Sequence, residues 1–298
     1  MSRGRIGIGA AVARGSDLPV LLPAAGRLAR SAAEERAFGL PSLRLTPVHG
    51  VVILLLFLLA TGAAEAETAP VHASVILTLL KWTPLLLKGF AFNIAISFFA
   101  MAIGTAAGTG LGLAQISLLP PVRRTASFAM HFFRNAPWLV VLFYCMFLLP
   151  FQMRIFGVEV PLPDWIKATF GLGLPVMANV AEIVRGAVQS IPSGQWESAN
   201  SLAFSRRQTI WMIILPQCVK RMLPPWMNLY AILAMSTVLA SVVGVSEVMT
   251  LTGDVLAAEN RSELLLPFYS YILVWFFLYC YPIGRWTVSL ERRFSVNI

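Results

Sequence analysis

Residues 191–216 read IPSGQWESANSLAFSRRQTIWMIILP, a polar interruption in a chain that is otherwise mostly apolar. Pro192 and Pro216 punctuate its ends, because proline supplies no backbone donor and disrupts a helix interior. Between them, residues 195–204 are largely helix-tolerant. Trp196, Ala199 and Ala203 fall at i, i+3 and i+7, so they share one helical face. Arg206 and Arg207 follow. A short surface helix with a small-residue stripe, carried on a loop between two membrane spans, has the form of a surface built to touch another protein.

The flanking chain is what makes this a loop between spans. The 298 residues are 57% hydrophobic and only 12% charged, with a mean hydropathy of +0.74. A soluble domain carries about a quarter charged residues, so the shortage of charge decides for an integral membrane protein. The length accommodates about five to seven helical spans of roughly 20 residues. The net charge of +9 reads as a topology signal in this setting, not as a nucleic-acid footprint. Cys145, Cys218 and Cys280 are scattered through apolar runs and read as small core residues, with no disulfide framework.

In chain order, residues 1–47 read as a basic cytoplasmic tail without apolar periodicity, expected to be disordered. Residues 48–64 form a compact apolar run that fits an extra N-terminal transmembrane anchor. A cleaved signal segment is the competing reading, since Ala64-Glu65-Ala66 has a signal-peptidase look. Residues 65–87 then read as an extracytoplasmic link with a short interfacial helix near residues 77–82. Spans are expected at residues 90–116, 128–149, 165–189, 226–248 and 264–284. A short loop is expected at 151–163 and a polar loop at 250–263, with Glu247 near the outer face. Residues 287–298 form a second cytoplasmic tail. Gly104, Gly108 and Gly112 recur every four residues in the first of the five spans, a stripe that lets a neighbouring backbone approach closely in lipid.

Four segments resemble one family in the right order. Gly194-Gln195-Trp196-Glu197-Ser198-Ala199, then Ala203, Ile213 and Leu215-Pro216-Gln217, resemble the cytoplasmic coupling loop of ABC importer permeases, in particular the polar amino-acid uptake branch. That loop reads Glu-Ala-Ala, three residues, Gly, then about nine residues to Ile-x-Leu-Pro; here Ser198 replaces the first Ala and Ala203 replaces the Gly. Phe133-Arg134-Asn135-Ala136-Pro137-Trp138-Leu139-Val140 resembles the family's Phe-Arg-x-Thr-Pro-Leu-Leu-Val. Ala181-Glu182-Ile183-Val184-Arg185-Gly186 matches Ala-Glu-Ile-x-Arg-Gly. Asn228 and the run from Thr237 to Glu247 are similar to a further family segment, and the tail Leu290-Glu291-Arg292-Arg293-Phe294 matches a common ending. Many members carry Lys-Asp directly before that Thr; this chain has Met235-Ser236, which leaves the choice of amino acid open.

The resemblance covers residues 88–294. It implies an all-α type I ABC permease with a five-helix core over residues 88–286 and one extra N-terminal helix. It implies a second permease subunit, a cytoplasmic ATPase dimer and an extracytoplasmic amino-acid-binding protein, in the bacterial inner membrane. Gly194, Gln195, Glu197, Ser198, Ala199, Ala203, Leu215 and Pro216 then become the ATPase-coupling residues of loop 192–216. Asn135, Asn179, Glu182, Arg185 and Asn228 are the candidates for the translocation path or its gates. Each is equally readable as an interhelical hydrogen-bonding residue. Glu182 and Arg185 are at i, i+3 and can pair on one face, and a carboxylate at that depth is costly unless paired or wetted.

Charge counting gives the orientation independently. With six spans and a cytoplasmic amino terminus, 18 of the 23 Lys and Arg residues lie inside, so the positive-inside rule puts residues 194–207 in the cytoplasm. The chain has no Gly-x-x-x-x-Gly-Lys-[Ser/Thr] loop, so no cofactor is expected on it and ATP is expected to be used by a partner subunit. His49, His72 and His131 are far apart and give no metal pattern. The alternatives are an ion-coupled secondary amino-acid transporter or a non-transporting membrane scaffold.

Overall fold

The computed structural model describes residues 74–155 and 158–294; the expected tail and the 48–64 anchor lie outside the described residues. The described elements are helices α1 (Val75–Gln115), α2 (Pro120–Asn135), α3 (Trp138–Leu148), α4 (Asp164–Gln189), α5 (Ser193–Ser201), α6 (Arg206–Val243), α7 (Val248–Glu259) and α8 (Leu265–Phe294). Four helical stretches are long and apolar enough to cross a membrane. A fifth is added if the bent pair α2–α3 counts as one span. Apart from one hairpin and the connecting turns the described residues are helical, which agrees with a membrane-permease fold.

Helices α1 and α4 approach each other closely. A Cβ on Gly108 would stand 2.5 Å from the Met177 carbonyl oxygen and 2.7 Å from Val180 Cβ. One on Gly112 would meet Val184 Cβ at 2.7 Å, and one on Gly104 would collide with Val176. Glycine every fourth residue thus meets valine every fourth residue. Lipid tails are as apolar as these side chains, so association rests on close van der Waals packing, which small residues permit. Around this seam Ile96, Ala100, Leu142, Leu172, Val176, Val180 and Leu233 form the main core cluster.

Several expected boundaries move, each for a tertiary reason. The link at residues 65–87 is helical from Val75 onward, as the first turns of α1. Those turns are held: Leu86 and Phe90 join Val248, Val255, Leu264, Phe268 and Ile272 in a second core. Lys81 Nζ and Trp82 Nε1 both donate to Glu259 Oε1 at 2.7 Å. The Lys81 bond first, then the Trp82 bond, hold the Glu259 carboxyl below its ordinary range. The expected polar loop at 250–263 is largely α7. Its buried residues Val248, Thr252, Val255 and Leu256 follow the i, i+4, i+7, i+8 stripe of a half-buried helix. Twelve residues make it about 18 Å long, short of the roughly 30 Å hydrocarbon core.

The second expected span, 128–149, is bent by 105° between α2 and α3. Ala136 is extended, with ψ 134°, as the residue before Pro137 prefers. The loop at 151–163 contains an antiparallel hairpin, β1 (Gln152–Ile155) and β2 (Val158–Pro161), with Gln152 opposite Pro161 and Arg154 opposite Glu159. Beside it Lys167 is fully buried. Its ammonium lies 3.2 Å from Asp164 Oδ1 and 3.7 Å from the centroid of the Phe151 ring. The fourth span begins at Arg206, not near residue 226, and its helix passes through Pro216, Pro224 and Pro225.

The α1–α4 seam predicts a contrast between two glycines of one helix. Gly108→Val should destabilise by about 2–3 kcal/mol or prevent accumulation, since the added carbons meet backbone. Gly110→Ala, where nothing lies within 4 Å of the new Cβ, should be neutral. Thermal unfolding of both variants in detergent checks this.

Candidate functional site in the 191–216 loop

The loop is a short helix rooted on the ends of two spans. α5 starts after Pro192, where a missing N–H costs nothing. Its Ala199 is 1% exposed and its Trp196 packs on a small cluster of Ala187, Val188, Ile191, Ile214 and Cys218. These residues come from the end of α4, the turn after it and the first part of α6. Arg221 tightens the joint by donating to the Ser190 carbonyl at 2.7 Å and to Ser190 Oγ at 2.8 Å, where a cation suits the carboxyl end of α4. Gln217 Nε2 donates to Gln195 Oε1 at 3.4 Å. Gly194, Gln195, Glu197 and Ser198 are exposed. The helix therefore has an anchored underside and a free polar surface.

Two parts of the expected loop differ. The helix ends at Ser201, and Ala203 has φ 59°, so it does not continue the Trp196–Ala199 stripe. The Phe204 N–H bonds the Ala199 carbonyl at 3.1 Å, the closing bond of a Schellman-type stop whose left-handed residue is most often glycine. The Gly expected at position 203 is therefore a backbone requirement, and here Ala meets it at a steric cost. Nor does Pro216 end the segment. Ser205 and Gln208 form a reciprocal capping box that starts α6 at Arg206. A π-helical turn at Thr209–Ile214 then precedes Leu215 and Pro216. This wider turn accommodates a proline ring that would otherwise clash with the carbonyl four residues back. Leu215 is half-buried and Pro216 is exposed.

The candidate path residues separate into two kinds. Glu182 on α4 takes two hydrogen bonds from Arg185, Nε at 2.9 Å and Nη2 at 2.6 Å. It also faces Arg134 Nη1 of α2 at 3.6 Å. Arg185 Nη1 reaches on to Gln189 Oε1 at 2.7 Å. This charge cluster ties α2 to α4. Asn135 Nδ2 and Asn179 Nδ2 each donate at 2.8 Å to the carbonyl four residues back, those of His131 and Pro175, so these amides are used within their own helices. Asn228 is exposed on α6.

A third polar group escaped the sequence reading. Glu247 is fully buried. Its Oε2 accepts from Asn93 Nδ2 at 2.7 Å, and its Oε1 accepts from the N–H groups of Met249 and Thr250 at 2.9 and 3.1 Å. Asn93 Nδ2 also donates to Thr237 Oγ1 at 3.0 Å, and Asn93 Oδ1 accepts from the Val248 N–H at 3.1 Å. One node thus joins α1, the 3₁₀ end of α6 and the N-terminus of α7. A lone Asn amid Phe and Ile in a span was the available signal.

A model of the family described as "Binding-protein-dependent transport system inner membrane component" matches residues 104–295. A probable amino-acid ABC transporter permease protein, YckA of Bacillus subtilis, is 37% identical over 166 residues, covering 56% of this chain and 71% of that protein. The glutamate transport system permease protein GluD of Corynebacterium glutamicum is 32% identical, over 61% of this chain and 66% of its own. Among solved structures, that of an amino acid ABC transporter with histidines superposes with a TM-score of 0.62 at 25% identity, covering 73% of this chain and 97% of that one. The inward-facing MetNI methionine ABC transporter superposes at 0.52 with 19% identity, over 71% of this chain and 94% of its own, a likeness of fold.

Two outcomes follow from the geometry. Ala203→Gly should raise stability by about 1 kcal/mol by relieving the left-handed alanine, seen as an upward shift of roughly 2–4 °C in the unfolding midpoint. Asn93→Leu should cost about 2–3 kcal/mol, because it strips donors from a buried carboxylate, and the same unfolding measurement reads it.

Proposed function

The chain belongs to the family of binding-protein-dependent transport system inner membrane components, and on that premise we propose how it works within an ATP-driven amino-acid importer. It is a multi-pass membrane permease subunit. The proposed cargo is a polar amino acid, handed over by an extracytoplasmic binding protein. The proposed assembly has two permease subunits and two cytoplasmic ATPase subunits, which hydrolyse the ATP. Lys and Arg distribution supports cytoplasmic positions for both termini and for α5.

The observation that carries the reading is the build of α5. It is buried on one side by Trp196 and Ala199 and exposes Gly194, Gln195, Glu197 and Ser198 on the other. Such a helix cannot move without α4 and α6, because it shares their core. An ATPase surface that grips the exposed face would therefore move the ends of both spans together. ATP closing the ATPase dimer then favours one of two arrangements of the spans, and it shifts the equilibrium by its differential interaction with them. Ala203 fixes where α5 stops, and the Ser205–Gln208 capping box fixes where the next span begins. The Glu182–Arg185–Arg134 cluster lies at the end of α4 leading into this joint, so we assign it to holding α2 and α4 in register during the motion. Asn135, Asn179 and Asn228 are retained as candidate path residues.

Glu197→Lys tests the coupling role, since it reverses charge on the exposed face without touching the buried one. Uptake of the amino acid into reconstituted vesicles should fall at least about tenfold, the equivalent of roughly 1.4 kcal/mol, with less ATPase co-purified and an unchanged unfolding midpoint. Normal assembly together with normal uptake would sink the assignment.

A further inference from the structure

Beneath α5 lies a cleft of about 360 Å³, walled by the carboxyl end of α1, the turn into α2, the end of α4, and α5 itself. Gln115, Ser117, Arg123, Gln189, Trp196 and Arg206 are its chief polar and aromatic lining residues. We propose that this cleft binds the headgroup of an anionic phospholipid that carries a free hydroxyl, of the phosphatidylglycerol type. The proposal rests on α5 lying at the cytoplasmic membrane surface.

Gln115 is the first reason. Its side chain is 4% exposed, and among the described residues neither Oε1 nor Nε2 has a hydrogen-bond partner. Buried amides are almost always satisfied, and leaving one unmet is expensive. Gln115 is one of the residues lining the cleft, and a turn of its side chain would bring the enclosed amide to a partner that enters the cleft. The two ends of the amide set the chemistry, because Nε2 needs an acceptor and Oε1 needs a donor. A phosphate diester supplies only acceptors. A polyol phosphate supplies both, with its hydroxyl donating to Oε1.

Charge is the second reason. The lining holds two guanidinium groups, Arg123 and Arg206, and no carboxylate. Guanidinium forks match phosphate oxygens. Arg206 is already positioned, its guanidinium 5.0 Å from the centroid of the Trp196 ring. The rim is the third reason and favours a lipid over a soluble anion. Leu118, Leu119 and Val122 are 71%, 62% and 39% exposed beside the cleft, and acyl chains leaving a bound headgroup would cover them. Occupancy would bridge α5 to the ends of α1 and α4, so lipid composition would set how firmly the helix is held against the spans.

The test uses the full-length permease co-expressed with its ATPase partner and stripped of lipid in detergent. Native mass spectrometry then reads occupancy with added phosphatidylglycerol, phosphatidylethanolamine or inorganic phosphate. Phosphatidylglycerol should be bound about tenfold more tightly than phosphatidylethanolamine, and the Arg123→Gln, Arg206→Gln double variant should abolish that preference. Gln115→Met should lower occupancy about threefold or more without touching the charges. Arg124→Gln, one residue away and outside the cleft lining, should change nothing. Unfolding midpoints report whether each variant is folded; if the double variant is not, Gln115→Met and the preference between the two lipids still decide. Three results would overturn the proposal: no preference between the two lipids, equal loss in Arg124→Gln, or full displacement of the lipid by millimolar inorganic phosphate, which would make the cleft a site for a soluble anion. Lipid occupancy is read on the permease itself, so it fails or stands separately from ATPase attachment and uptake in Glu197→Lys.

Discussion

The α1–α4 seam is the constraint on which the other positions depend. Three glycines of α1 lie against three valines and three carbonyls of α4, with no room for a methyl group. Water is not available inside a membrane to drive apolar surfaces together, so dispersion over a close backbone contact has to supply the association. Once α1 and α4 are fixed side by side, α3 and α6 fill the remaining faces of one core. The loop that leaves α4 then emerges at a defined place. A looser seam would leave α5 attached to a helix of uncertain position.

From that seam the structure uses polar contacts sparingly, each as a fastener between elements. The Asn93–Glu247–Thr237 node fastens α1 to the junction of α6 and α7, deep in the molecule. The Lys81–Glu259–Trp82 contact fastens the first turns of α1 to the end of α7. The Glu182 cluster fastens α2 to α4, and Arg221 fastens α4 to α6 beside α5. Buried carboxylates are expensive unless several donors meet them. Glu247 satisfies that condition with two backbone N–H groups and an amide. The carboxylates therefore mark joints between helices, which is where a protein that must change arrangement while staying packed needs specificity.

Proline use shows why boundary positions were the weakest part of the sequence reading. Pro216, Pro224 and Pro225 look like stops, yet the helix passes through all three. Each deletes a hydrogen bond, but the π-turn ahead of Pro216 relieves the ring clash and packing holds the rest of the segment. Pro137 does act as a stop, because Ala136 before it is already extended and the chain turns by 105°. Sequence alone gives the same local cost in both settings, and the surrounding contacts decide whether it is met.

The sequence by itself determined the class of molecule, the place of the polar loop and the pairing of glycine with a close neighbour. These follow from composition, charge distribution and residue size, which are properties of the chain at each point. The family resemblance also marked Ala203 as a position where glycine was expected. Only the tertiary structure showed why: the residue is in the left-handed region at a helix stop, a conformation that no periodicity reports. The helical path of residues 75–87, the folding of 248–259 into α7, the burial of Glu247 and the isolation of Gln115 were likewise decided in three dimensions. Each depends on which distant side chain arrives beside it, and long-range packing, not local propensity, sets that.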